Sequence, residues 1–198
     1  MVRASTPTRR ATAHDALELA TATHMAGRRV DMGTLAKELG VGRATLYRWF
    51  DSREALMEQV LLGRAEAYVE TARRESRGSG DERLMGIVRA MIAASQTARP
   101  VRLFIEREPT LALRILAGEG GRLHRFFVEQ ALRDLAESHG GPLPAPLEAR
   151  VDATLQLITA LLWVAVAIGD EPPVERIEGL ARELLADVPS PRRRGSAR

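Results

Sequence analysis

Between Arg43 and Arg53 the sequence concentrates groups suited to recognition: Arg43, Ala44, Thr45, Tyr47, Arg48, Trp49 and Arg53. The Arg43 fork suits guanine O6 and N7 together, Ala44 and Thr45 suit a thymine methyl or a nearby phosphate, and Arg48 suits either kind of contact. Arg53, with the backbone N–H groups around it, suits a phosphate. Catalytic chemistry has no comparable constellation. The chain has no cysteine, its four histidines are scattered, and no metal-ligand spacing or Ser-His-acid arrangement appears. No catalytic residue, metal site or cofactor is expected, and the chain does not read as an enzyme.

A helix, a tight turn and a second short helix are needed to present these groups together. Leu35-Ala-Lys-Glu-Leu39 has helical spacing, and Ala36 is small enough to let two helices cross closely. Gly40 supplies the left-handed conformation that a sharp turn requires. Leu46 then returns to Leu35, Leu39 and Val41, leaving Arg43 to Thr45 and Tyr47 to Trp49 pointing outward, a surface suited to the major groove. An ordinary helical hairpin shares the Leu-Ala-x-x-Leu-Gly string. The segment after Gly40 is too short for a good core helix, however, and a buried hairpin rarely places arginines beside Tyr47 and Trp49.

The rest of the chain has helical periodicity throughout, and no segment alternates like a strand. Ala13, Ala16, Leu17 and Ala20 mark a first helix, closed by Gly27 and the Arg28-Arg29 pair. Asp31 is placed to cap the second helix, whereas Gly42 offers the third no side-chain cap. Asp51 and Ser52 start a fourth, with a stripe of Leu56, Val60, Leu61, Ala65 and Tyr68 fading near Arg77. Gly78-Ser79-Gly80-Asp81 is the best boundary candidate. Beyond it, the pattern predicts a helix carrying Leu84 to Ile92, short helices over 101–108 and 110–117, and a longer one over 122–139. A loop over 140–146 precedes two apolar helices, 147–169 and 174–188. Trp163, Val164, Val166 and Ala167 lie off the main stripe of the first, so it reads as central or as buried against another chain.

The expected organisation is all-α: a disordered basic arm (1–10), a three-helix helix-turn-helix unit (11–53), a larger helical unit (54–188) and a disordered basic tail (189–198). Hydrophobic residues make up 45% and charged residues 28%, enough for a packed core. Residues 1–53 carry nine Arg or Lys against five acids, whereas 54–188 carry 16 against 21. A polyanion is attracted to the first segment and repelled by the second. Met1 to Arg10 lacks the apolar run of a signal peptide, and the uncharged stretch Ala153–Gly169 falls short of a spanning helix. A soluble cytoplasmic protein without a membrane partner is expected.

Gly40-Val-Gly-Arg-Ala-Thr-Leu-Tyr-Arg-Trp-Phe50, followed by Ser52-Arg-Glu-Ala-Leu56, resembles the signature of the TetR family of bacterial transcriptional regulators. The resemblance covers residues 10 to 60, and the helical remainder has the length and order of that family's ligand-binding, dimerising half. Arg29 to Met32, Leu46 to Trp49 and Phe104 to Pro109 resemble its quorum-signal-degradation regulator (QsdR) branch. Two positions depart from the pattern. Gly42 stands where Ser or Thr is usual, and His24-Met-Ala-Gly-Arg-Arg29 replaces a corner of Gly followed by an aromatic.

The resemblance implies a sequence-specific regulator of double-stranded DNA, most simply a repressor on a palindromic operator, with Tyr47 and Trp49 anchoring the sugar-phosphate backbone. It implies a homodimer through helices 147–169 and 174–188, whose two heads meet half-sites roughly 34 Å apart. It also implies a small-molecule effector, lactone-type if the branch holds. Met91, Phe104, His124, Phe127, Leu157 and Trp163 are the candidates to line its pocket, with Arg102, Glu106 or Gln130 as polar contacts. Taken singly, each of these reads more readily as ordinary core or surface, and His124 reads as an exposed neighbour of Arg122 and Arg125. The rival reading is an effector-independent architectural DNA-binding protein with a filled second unit.

Overall fold

Helix starts follow side-chain caps wherever the sequence offers them. The computed structural model describes residues 10–75 and 80–186, so the basic arm and the tail lie essentially outside the described residues. Among the described residues all regular structure is helical. Thr12 opens α1 (Ala13–Met25) with a reciprocal box, its hydroxyl accepting from Asp15 N–H while the Asp15 carboxylate accepts from Thr12 N–H. Asp31 caps α2 (Met32–Glu38), accepting from Thr34 N–H at 2.9 Å. Gly42 precedes α3 (Arg43–Phe50) with no side-chain bond. Ser52 accepts from Ala55 N–H at the start of α4 (Arg53–Glu75).

The chain divides into two compact units, up to Val60 and from Leu61 onward, so the division falls inside α4 rather than at 53. In the first unit α1, α2 and α3 pack on one another around Ala16, Ala20, Leu35, Ala36 and Leu46. Phe50 and Leu56 are also buried there. The α2–α3 turn depends on Gly40, whose φ is +65°. This lets Val41 N–H return to the Ala36 carbonyl and Gly40 N–H to that of Lys37, closing the helix end.

The second unit comprises the remainder of α4 with α5 (Gly80–Thr97), α6 (Arg99–Arg107), α7 (Pro109–Ala117), α8 (Arg122–His139), α9 (Ala145–Ile168) and α10 (Val174–Ala186). Helix α5 packs on α8, α9 and α10, and α9 also contacts α6, α7, α8 and α10, which makes α9 the central element. Boundaries differ from expectation where proline was read as a stop. Pro100, Pro109 and Pro146 all lie in first turns, where the missing N–H has no intrahelical role. Helix α9 therefore begins at Ala145, inside the expected 140–146 loop. Gly78 and Ser79, half of the expected boundary, lie outside the described residues, and Gly80 already belongs to α5.

The uncharged stretch 153–169 belongs to the longer α9, which by length and composition alone is long and apolar enough to cross a membrane. Its packing makes it a core helix. Leu147, Val151, Leu155, Ile158, Thr159, Leu162 and Trp163 are buried along one side. On the other, Leu157, Val164 and Ile168 are 43%, 45% and 68% exposed.

Candidate nucleic-acid interface and cavity

The eight residues of α3 sort by face. Leu46 and Phe50 are buried, Thr45 and Trp49 are half-buried, and Arg43, Ala44, Tyr47 and Arg48 are exposed. Thr45, Arg48 and Trp49 border an open groove that also takes in Arg10, Thr12 and the Gly40–Gly42 turn. The start of α1 and the reading helix thus share one concave, basic surface, the form that a sugar-phosphate backbone fits.

Two of the arginines have intramolecular roles that the sequence did not disclose. The Arg43 guanidinium lies against α2 so closely that a Cβ added at Gly33 would sit 2.6 Å from its Nη2. Gly33 therefore makes the space in which Arg43 rests. The Asp31 carboxyl is held below its ordinary value chiefly by the hydrogen bond from Thr34 N–H, with smaller help from the Thr34 hydroxyl, Gly33 N–H and the Arg43 charge. Arg53 is half-buried, and its Nε donates to the Val30 carbonyl, tying the start of α4 to the segment before α2. The turn between α3 and α4 is strained. Asp51 has φ +58° and ψ −47°, and Ser52 N–H donates to the Phe50 carbonyl two residues back at 2.6 Å, a γ-turn of the rare kind.

Within the second unit, a cavity of about 60 Å³ lies among α4, α5, α6, α7, α8 and α9. Of the six expected pocket residues, Met91, Phe127 and Trp163 line it. The other three do not. Phe104 is buried elsewhere in the core, Leu157 is exposed on the outer face of α9, and His124 is only 6% exposed. His124 Nε2 lies 2.9 Å from Asp152 Oδ1, so the expectation of an exposed His124 is overturned. Position 124 turns inward with Leu123 and Phe127 despite the flanking arginines. The suggested polar contacts also lie away from the cavity. Arg102 and Glu106 are exposed, and Gln130 is buried as the acceptor of an Arg73 Nη1–H bond at 2.7 Å. Among the lining residues that were missed, the two with polar groups are Arg64 and Tyr68 of α4, with the Arg64 guanidinium carbon 5.5 Å from the centre of the Tyr68 ring. Their signal was present: Leu61, Arg64, Ala65 and Tyr68 share one helical face.

Residues 73, 83, 130, 134 and 137 form a polar cluster joining α4, α5 and α8. Asp134 accepts from Arg73 at 3.0 Å and lies 3.5 Å from Arg83 Nε, while Arg83 also bonds Glu137. Burial pushes the Asp134 carboxyl up, against the opposing pull of both arginines.

Comparison with known proteins agrees with this arrangement. Residues 27–60 match the pattern described as bacterial regulatory proteins, tetR family, and residues 79–186 match the tetracyclin repressor-like C-terminal domain. Among solved structures, the fold is similar to the transcriptional repressor QsdR from the TetR family of R. erythropolis. The TM-score is 0.76 and the identity 24%, over 88% of this chain and 94% of that one. It is also similar to the TetR family repressor AlkX from Dietzia sp. strain DQ12-45-1b, implicated in biodegradation of n-alkanes. There the TM-score is 0.55 and the identity 23%, over 93% of this chain and 100% of that one. A search of proteins with curated functions finds no match.

Proposed function

The chain belongs to the tetR family of bacterial regulatory proteins, which are DNA-binding transcriptional regulators and not enzymes, and from that premise we propose that it is a homodimeric repressor released from a palindromic operator by a small molecule. The observation that carries this reading is the coexistence of two sites in one chain. One is an outward face of α3 bearing Arg43, Tyr47 and Arg48, and the other is a largely apolar cavity in the second unit. An architectural binder has no use for such a cavity. Arg43, Ala44 and Thr45 read bases, Tyr47 and Trp49 hold the backbone, and Arg48 does either. Arg53 supports this surface through its bond to Val30 and faces a phosphate with its remaining N–H groups.

Dimerisation follows from α9. Leu157, Val164 and Ile168 recur at helical spacing on an exposed face, a pattern that is stable in water when a second copy covers it. Helices α9 and α10 supply that interface and set the distance between the two heads. Effector binding favours a state with a different spacing, and its influence is limited by its differential affinity for the two states. A cytoplasmic setting follows from the DNA partner.

The test is binding to palindromic fragments of the promoter beside its own gene, with sedimentation of the same samples. The wild type is expected to sediment as a dimer and to retard one fragment selectively. Val164→Glu is expected to give a folded monomer that has lost most of that affinity. A wild-type monomer, or equal affinity for all duplexes, would overturn the reading.

A further inference from the structure

The cavity in the second unit combines walls of one character with a single group of another. Apart from Arg64 and Tyr68, every residue that lines it is apolar, from Leu61 and Ala65 on α4 to Phe127 on α8 and Trp163 on α9. Arg64 is half-buried, and among the described residues no carboxylate pairs with it. Its guanidinium lies over the face of Tyr68, one turn further along α4. A guanidinium at the edge of an apolar chamber, held by an aromatic ring rather than an acid, leaves its planar fork of donors available to an oxyanion.

Tyr68 also borders a second space. On its far side lies an open groove between α4 and α5, walled by Thr71, Ala72, Gly86 and Ala93. Tyr68, Ala90 and Ala94 border both spaces. The two alanines offer little bulk, so Tyr68 is the bulkiest side chain that the chamber and the groove share. It is itself 39% exposed, and so is free to swing outward.

We infer that this chamber binds a short-chain carboxylate, with the hydrocarbon tail among Met91, Phe127 and Trp163, the carboxylate on Arg64, and Tyr68 as the gate that admits it from the α4–α5 groove. The inference rests on the effector reading above and specifies its chemistry. Size limits the tail. About 60 Å³ is well under the roughly 150 Å³ of a cavity that accepts benzene, so the chamber as it stands holds only a few carbons. Charge limits the head. A neutral ester or lactone oxygen accepts a hydrogen bond from Arg64 without neutralising it, whereas a carboxylate does both.

The experiment titrates the full-length protein with sodium butanoate, hexanoate, octanoate and decanoate, and with lactones of the same carbon number. Calorimetry reads binding, and the fluorescence of Trp163 in a Trp49→Phe background reports occupancy of the chamber. Affinity is expected to rise about fourfold per methylene until the chamber fills, then fall. Acids are expected to bind about tenfold or more tightly than lactones of equal length. Arg64→Gln is expected to erase that preference, Arg64→Lys to retain part of it, and Tyr68→Ala to move the length optimum to longer chains. Circular dichroism confirms the fold of each variant. Equal affinity for acids and lactones, an acid preference that survives Arg64→Gln, or no binding across the series would each overturn the inference. Operator retention with the same ligands separates the two readings. If lactones release DNA and acids do not, the head-group assignment fails while effector control survives. If acids occupy the chamber and DNA affinity is unchanged, the site stands and repression by release fails.

Discussion

Arg43 and Arg53 carry the same charge and lie ten residues apart, yet their surroundings give them different work. Arg43 is exposed and rests on the α2 backbone at Gly33 by packing, so its fork is released at little cost when a guanine edge is presented. Arg53 is half-buried and donates to the Val30 carbonyl, so it is fixed before any DNA arrives. Arg43→Ala is therefore expected to relax base preference at one position in each half-site, costing about 1–3 kcal/mol against the preferred sequence and little against others. Arg53→Ala is expected to weaken binding to every sequence and to flatten its salt dependence, with some loss of stability from the orphaned Val30 carbonyl. Fluorescence anisotropy on matched and mutated operators at several salt concentrations measures both. A uniform loss in the two variants would contradict the assignment. The sequence alone supported the base-reading role of Arg43, because Arg at the start of a short exposed helix is read from type and position. It could not show the Gly33 shelf or the Val30 bond, since both depend on which way a long side chain turns in space.

At the scale of elements, the sequence was most informative where backbone chemistry is local. Asp31 as a cap, Gly40 as a left-handed turn and the absence of a cap at Gly42 all follow from one residue and its immediate neighbours, and all appear in the structure. Helix α8 spans the expected 122–139 because glycines bracket a continuous stripe. The cavity was less legible. Its walls come from six helices, and helical spacing tells which residues turn inward without telling whether they meet other side chains or a void. Leu157 and Trp163 illustrate this: both are apolar residues of α9, yet one is exposed and the other lines the chamber. The ends of α3 give the element-scale prediction. Gly42 has an extended backbone where an added Cβ would meet only Thr45 Oγ1, at 4.0 Å, so Gly42→Ser introduces a cap without strain and is expected to stabilise by a few tenths of a kcal/mol. Asp51 sits at φ +58°, where a side chain is strained, so Asp51→Gly is expected to stabilise by about 1 kcal/mol. Thermal unfolding of the two variants and their combination checks this, and because the sites lie at opposite ends of α3 the effects should add. A lower midpoint for Asp51→Gly would show that its side chain contributes more than its backbone costs.

For the molecule as a whole, two carboxylates in separate units give stability opposite responses to acid. Asp31 in the first unit is held below the ordinary 3.8, chiefly by Thr34 N–H, so its contribution is present above 3.8 and is lost as pH falls through the lower folded value. Asp134 in the second unit is raised above 3.8 by burial, with its Oδ2 lacking a partner among the described residues. Arg73 and Arg83 oppose the shift and Glu137 adds to it, without reversing the direction. Its contribution is therefore present below 3.8 and is lost as pH rises through the raised value. Each unit holds one of the two tryptophans, Trp49 in the first and Trp163 in the second, so single-tryptophan variants report the units separately. On acidification through the raised value toward 3.8, the second unit is expected to gain stability relative to Asp134→Asn, which keeps an acceptor for Arg73 but does not titrate. Below about pH 4 the first unit is expected to lose stability relative to Asp31→Asn, which keeps the cap. Denaturant midpoints read through each tryptophan decide the matter. An Asp134→Asn difference that grows as pH rises in favour of the native aspartate would mean that the two arginines outweigh burial, and the polar cluster joining α4, α5 and α8 would then be a net source of stability at neutral pH.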